Sequence, residues 1–184
     1  MIEPWTSFAL AHAGQGAHTL LAGLAHPLTG WDHALAMSAL GLWAAQLGGR
    51  ARLALPVAFL TAMLLGGASS RLGFPLPWAE VAILVSVFAL GLLVAGAMRI
   101  STVLATVLAA AFALFHGYAH VAELAAGEPV IPYALGFIAG SAALVACGFA
   151  AGTLTSTLNR PTLARWFGAA TAITALVVAA VRIG

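Results

Sequence analysis

Apolar residues fall in six long runs, at about residues 31–48, 53–70, 78–97, 102–122, 131–154 and 163–181. Each approaches or meets the roughly 20 residues that a helix needs to cross the hydrocarbon of a bilayer, the first two only just. The interruptions carry turn chemistry. Gly48-Gly49-Arg50 ends the first run, and Gly73-Phe74-Pro75-Leu76-Pro77 parts the second from the third. Gly127-Glu128-Pro129 with Pro132 precedes the fifth, and Asn159-Arg160-Pro161 precedes the sixth. Loops this short force neighbouring helices to run antiparallel. The pattern predicts an all-α integral membrane protein, a compact bundle of about six transmembrane helices forming a single domain over residues 1–184. Residues 1–30 are mixed and Gly-rich; they read as an interfacial segment with a short helix at about 16–25, broken by Pro27 and Gly30.

Composition supports the membrane assignment. Of the 184 residues 62% are hydrophobic and 7% charged, with a mean hydropathy of +1.05. A soluble domain carries roughly a quarter charged residues, so this chain cannot cover a water-facing surface. Lysine is absent, the arginines are scattered singly, and the net charge is only +2, which argues against a nucleic-acid partner. The single Cys147 excludes an intramolecular disulfide and reads as a small buried hydrophobe. The start, Met1-Ile2-Glu3-Pro4, lacks the basic region of a complete secretory signal, although Ala9-Leu10-Ala11-His12 resembles the remnant of a cleavage site. Gly136-xxx-Gly140, Gly148-xxx-Gly152 and Gly91-xxxx-Gly96 are candidates for close helix packing, and a homo-oligomer is left open.

Charge sets the orientation. With the loops after runs one, three and five in the cytoplasm, that side holds Arg50, Arg52, Arg99, Arg160 and Arg165, against Arg71 and Arg182 opposite. The positive-inside rule then places both termini on the outer, periplasmic side. Every acid (Glu3, Asp32, Glu80, Glu123, Glu128) and every histidine (His12, His18, His26, His33, His116, His120) then lies on that outer side. Two clusters far apart in sequence meet at one depth: His26-Pro27-Leu28-Thr29-Gly30-Trp31-Asp32-His33 at the mouth of the first run, and His116-Gly117-Tyr118-Ala119-His120-Val121-Ala122-Glu123 at the end of the fourth.

Ionisable groups inside a membrane are costly and mark functional sites. His116, His120 and Glu123 are spaced by four and three, hence on one helix face. Imidazole nitrogen with carboxylate oxygen suits nickel, cobalt, zinc or ferrous iron. At 1.5 Å rise per residue His116 lies roughly 10 Å below Glu123, so His120 is expected to hinge between an outer position with Glu123 and a deeper one with His116. Glu123 sits at a helix carboxyl end, where a nearby cation would offset the unfavourable dipole. Asp32 follows Thr29 by three residues, a capping-box spacing that explains the aspartate but not His26 or His33. Met37 shares a face with His33 and is either a sulfur ligand one turn deeper or core filler. Glu80 opens the third run as ligand or helix-start acid, while His12 and His18 flank a Gly-rich turn as an outer collecting site or plain surface.

At these residues the chain resembles the HupE/UreJ family of bacterial nickel permeases. The likeness lies in His26-Pro27-Leu28-x-Gly30-x-Asp32-His33-x-Leu35-Ala36-Met37 with Gly41-Leu42-Trp43-Ala44, and in Phe115-His116-Gly117-x-Ala119-His120-x-x-Glu123. Leu76-Pro77-x-x-Glu80 fits as well. The resemblance implies a six-span secondary transporter of the inner membrane taking up Ni2+, with Co2+ as a further candidate, for hydrogenase or urease maturation; the ligand chemistry alone also leaves Zn2+ open. It implies metal-site roles for His26, Asp32, His33, Glu80, His116, His120 and Glu123. Two departures stand out: Gln15 where a second histidine is common, and Val121-Ala122 in place of a Gly-containing step.

The alternative is an intramembrane zinc-type hydrolase with a periplasm-facing His/Asp/Glu site; no H-E-x-x-H helix motif supports it. A sensor or chaperone that binds metal without passing it is the third reading. No nucleotide-binding motif is present, so transport would draw on the membrane potential or an ion gradient. The expected route passes between runs one, three and four, with Ser38, Gln46, Thr61, Ser86, Thr102 and Thr106 as the sparse polar groups of the cytoplasmic half. Histidine binds metal only when neutral, so uptake should weaken as pH falls through about 6.5. A profile of uptake that climbs steadily from neutral to pH ~5 would exclude histidine ligation.

Overall fold

A computed structural model describes residues 20–124 and 129–183. Among these residues the chain is all helical, with no strand. The helices are α1 (Leu20–Thr29), α2 (Trp31–Leu47), α3 (Ala51–Arg71), α4 (Ala79–Ala95), α5 (Thr102–Ala122), α6 (Val130–Thr157) and α7 (Pro161–Ile183). Helices α2 to α7 occupy the six apolar runs. Four of them, α3, α5, α6 and α7, are long and apolar enough to cross a membrane. α2 and α4 have 17 residues each and fall below that length. The outward surface is built from Leu53, Val57, Leu65, Val103, Ile131 and Val181, each more than half exposed. That is the surface of a membrane protein, since nothing offsets the exposure of such side chains to water.

The ends follow the local sequence. Gly48 and Gly49 turn at φ 74° and 50°, which costs a residue without a side chain little. Asn159 adopts φ 52°, and Pro161 occupies the first helical position of α7, where its missing N–H is no loss. Ser101 caps α5, its hydroxyl oxygen accepting from the Leu104 N–H.

Three local expectations are corrected. Pro27 does not break the first helix, which runs through it to Thr29. Its ring is fully buried, against Gly140 of α6, and that packing offsets the lost backbone bond. The Thr29–Asp32 capping box does not form. Gly30 is the N-cap of α2 without a side-chain bond, and the Thr29 hydroxyl turns back to the carbonyls of Ala25 and His26. Cys147 is also exposed rather than buried. It lies on an apolar helix facing outward, where a thiol serves as any small hydrophobe.

Glycines set the packing. Gly136 and Gly140 of α6 lie against the α1 backbone, and Gly148 and Gly152 against α2. Gly91 of α4 meets Gly168 of α7 rather than pairing with Gly96. The closest pair is α3 with α5, where Gly66, Gly67 and Gly117 bring the two backbones together. Small residues allow such approach, and dispersion between the backbones then holds the helices.

The bundle has two chemically distinct ends. At one, the Trp43 indole donates to the Met98 carbonyl, the Gln46 amide to the Val94 carbonyl, and the Arg165 guanidinium to the Ala95 carbonyl. These bonds gather the carboxyl ends of α2 and α4 with the start of α7, the segments rich in arginine. At the other end lie the start of α2, the end of α5 and the start of α6, with the histidines.

Candidate metal centre

His26 comes from the last turn of α1, His33 from the first turn of α2, and His116 and His120 from the last two turns of α5. α2 and α5 do not pack backbone to backbone, and the imidazoles span the interval between them. One ligand nitrogen from each of His26, His33 and His120 lies within 4.8 Å of the others. The Nε2 atoms of His33 and His120 are aimed at each other in the tightest contact of the group. On the deeper side His33 Nε2 stands 3.4 Å from His116 Nδ1. His33 Nε2 therefore faces both tiers, while His120, expected to hinge between Glu123 and His116, turns Nδ1 toward Glu123 and Nε2 toward His33.

Asp32 explains why His33 presents Nε2. Its Oδ1 accepts from the His33 ring Nδ1–H at 2.6 Å and from the His33 backbone N–H at 2.9 Å. With Nδ1 carrying the hydrogen, Nε2 keeps its one lone pair bare, on the side of the ring where His120 and His116 lie. A carboxylate behind an imidazole in this way orients it and raises its basicity as a ligand. Asp32 thus stands behind His33, where the sequence suggested a ligand or a cap.

Polarity falls with depth. The Glu123 side chain is 36% exposed, with Oε2 3.8 Å from His120 Nδ1; Asp32 is 20% exposed, and His116 is wholly buried. Glu123 is the C-cap of α5, as its position at the helix end implied. Below His116 the interior is apolar: Met37, Leu40, Phe59, Val87 and Ala113 are all fully buried. Met37 belongs to this core.

The remaining expectations sort out as follows. Glu80 is exposed in the first turn of α4 and is not among the residues whose ligand atoms converge. His12 and His18 lie outside the described residues. Of the sparse polar groups, Gln46 and Thr106 donate to helix carbonyls. Ser86 lies beside His116 instead, its oxygen 2.9 Å from Nε2.

Sequence reasoning missed the aromatic wall. Phe137 of α6 is buried, with its ring centroid 4.7, 5.8 and 5.9 Å from those of His120, His33 and His26. Tyr133, one turn away, stacks on Phe137 and faces His26. Their spacing of four on α6 is the only sequence signal, and it is the same as that of ordinary core filler. A cavity of about 290 Å³ between α3, α5 and α6 reaches His120. Its lining is apolar apart from Arg71, His120 and Tyr133, so it offers an ion little beyond His120. Val121 fills the space beside Gly67 at its edge, which is how this chain accommodates valine in that step.

The family described as HupE / UreJ protein matches residues 2–178. The chain is 41% identical over 167 residues to Protein HupE of Rhizobium leguminosarum bv. viciae, covering 91% of this chain and 87% of that protein. No solved structure matches. With a match over nearly its whole length and a relative this similar, the chain belongs to the HupE/UreJ family.

Proposed function

We propose that this protein is a nickel permease, a secondary transporter that takes up Ni2+, with Co2+ as a second substrate, across the bacterial inner membrane. On this reading α2 to α7 are six spans of a single transmembrane domain over residues 1–184, with both termini outside and the arginine end in the cytoplasm. The metal supplies hydrogenase or urease maturation. The observation that carries the proposal is the convergence of His26, His33 and His120 at one end of an apolar bundle, with His116 one tier deeper. A set of neutral nitrogens favours nickel, cobalt, copper or zinc over magnesium or calcium, which prefer oxygen.

The ion enters past Asp32 and Glu123, exchanges water for imidazole, and moves from the His33–His120 tier toward His116. Transport is favoured over hydrolysis because Asp32 is committed to His33, and Glu123 stands at the exposed outer edge beside His120, a placement that suits the entry point of an ion.

Uptake of radioactive nickel by proteoliposomes is the test. His120→Ala should reduce uptake to background. Asp32→Ala should weaken nickel binding about 10–100-fold, the range for partners that orient a ligand. Asp32→Asn keeps an acceptor oxygen for His33 Nδ1 and should retain more binding than Asp32→Ala. Full uptake and full metal content in both alanine variants would remove the proposed site.

A further inference from the structure

Ser86 is the lone hydroxyl of α4, fully buried in a stretch that is otherwise apolar from Val81 to Ala95. Its oxygen lies 2.6 Å from the Ile83 carbonyl and 2.9 Å from His116 Nε2. A carbonyl accepts and cannot donate, so the hydroxyl proton belongs to Ile83. The Ser86 oxygen then offers His116 a lone pair, and Nε2 must carry the ring hydrogen. A neutral imidazole has one such hydrogen, which leaves Nδ1 bare. That bare Nδ1 faces His33 Nε2, bare in turn because its own ring hydrogen goes to Asp32.

Two bare nitrogens 3.4 Å apart form no hydrogen bond with each other. The distance has a different meaning for a cation. Two ligands each held ~2.0–2.1 Å from one tetrahedral ion stand about 3.4 Å apart. The two outer hydrogen bonds, from His33 to Asp32 and from His116 to Ser86, turn both lone pairs inward from opposite sides.

We propose that Ser86 is a positioning residue that fixes the tautomer of His116 and so makes Nδ1 available as the inner donor facing His33. Its effect on cargo binding rests on the metal-transport reading, whereas the tautomer does not. A buried histidine whose Nδ1 bore the hydrogen would turn an N–H toward an arriving cation and close the deeper tier.

The test uses the full-length protein in detergent. Histidine labelled with 15N, read without metal, reports which ring nitrogen is protonated, with the His116 signal assigned by its loss in His116→Gln. His116 should carry its hydrogen on Nε2, and Ser86→Ala should mix the two tautomers. With Ni2+ added, Ser86→Ala should bind about 10–100-fold more weakly, as for other outer partners of ligating histidines. Ser141→Ala removes an equally buried hydroxyl that bonds only the Phe137 carbonyl, and it should bind Ni2+ as the unaltered protein does. The proposal is overturned by Nδ1 protonation of His116 in the unaltered protein, by unchanged Ni2+ affinity in Ser86→Ala, or by an equal loss in Ser141→Ala. Absence of nickel uptake by the unaltered protein would defeat the transport reading while leaving the metal-free tautomer measurement to decide the role of Ser86.

Discussion

His33→Ala should abolish nickel binding, with a loss well beyond the 10–100-fold expected when an orienting partner is removed. The reason is position. His33 Nε2 is the one nitrogen that faces both His120 and His116, so its removal empties the outer and the deeper tier together. His26→Ala should cost less, since it deletes one member of the outer group and leaves the His33–His116 pair. Calorimetric titration of the purified variants with Ni2+ gives the ranking. A His26 variant weaker than the His33 variant would show that the shared nitrogen has been misassigned.

Gly117→Ala should unfold the site without touching a ligand. A Cβ at Gly117 would overlap the Met63 carbonyl, and backbone cannot rotate aside as a flexible side chain can. α3 and α5 must separate, and His116 and His120 flank the substituted position. Overpacking typically costs ~1–3 kcal/mol, and a clash with backbone belongs at or above the top of that range. Thermal unfolding in detergent, followed by Ni2+ titration, should show lower stability and lost binding together. Val57→Ala on the exposed face of the same α3 should stay within about 0.5 kcal/mol of the unaltered protein. Equal stability of the Gly117 and Val57 variants would mean that the α3–α5 contact does not hold the histidines.

Much of the architecture was legible because the breaks between helices are chemical events: Gly48-Gly49, Asn159 and Pro161 end or start helices for backbone reasons that hold in any fold. The meeting of the two histidine clusters was legible by counting helices, since the four crossings from the start of α2 to the end of α5, an even number, return the chain to the same end. What escaped was any choice among partners for one side chain. Thr29-x-x-Asp32 has the spacing of a capping box, yet Asp32 serves the ring of its own neighbour, and no spacing rule weighs those options. Ser86 reads identically whether it bonds back to its helix or also to an imidazole from another helix 30 residues on. Pro27 reads as a breaker because the sequence cannot display the α6 surface that buries its ring. Phe137 and Tyr133 carry no mark that separates a site wall from core filler.

The dry layer of Met37, Leu40, Phe59, Val87 and Ala113 beneath His116 has an electrical consequence. Moving a bare divalent charge through such a layer costs far more than thermal energy. On the transport reading, the protein should therefore work as a lock with two gates, not as an open bore. Flux would be paced by helix rearrangement, on the microsecond-to-millisecond scale or slower. Planar-bilayer recordings should then register no unitary current when Ni2+ is the charge carrier.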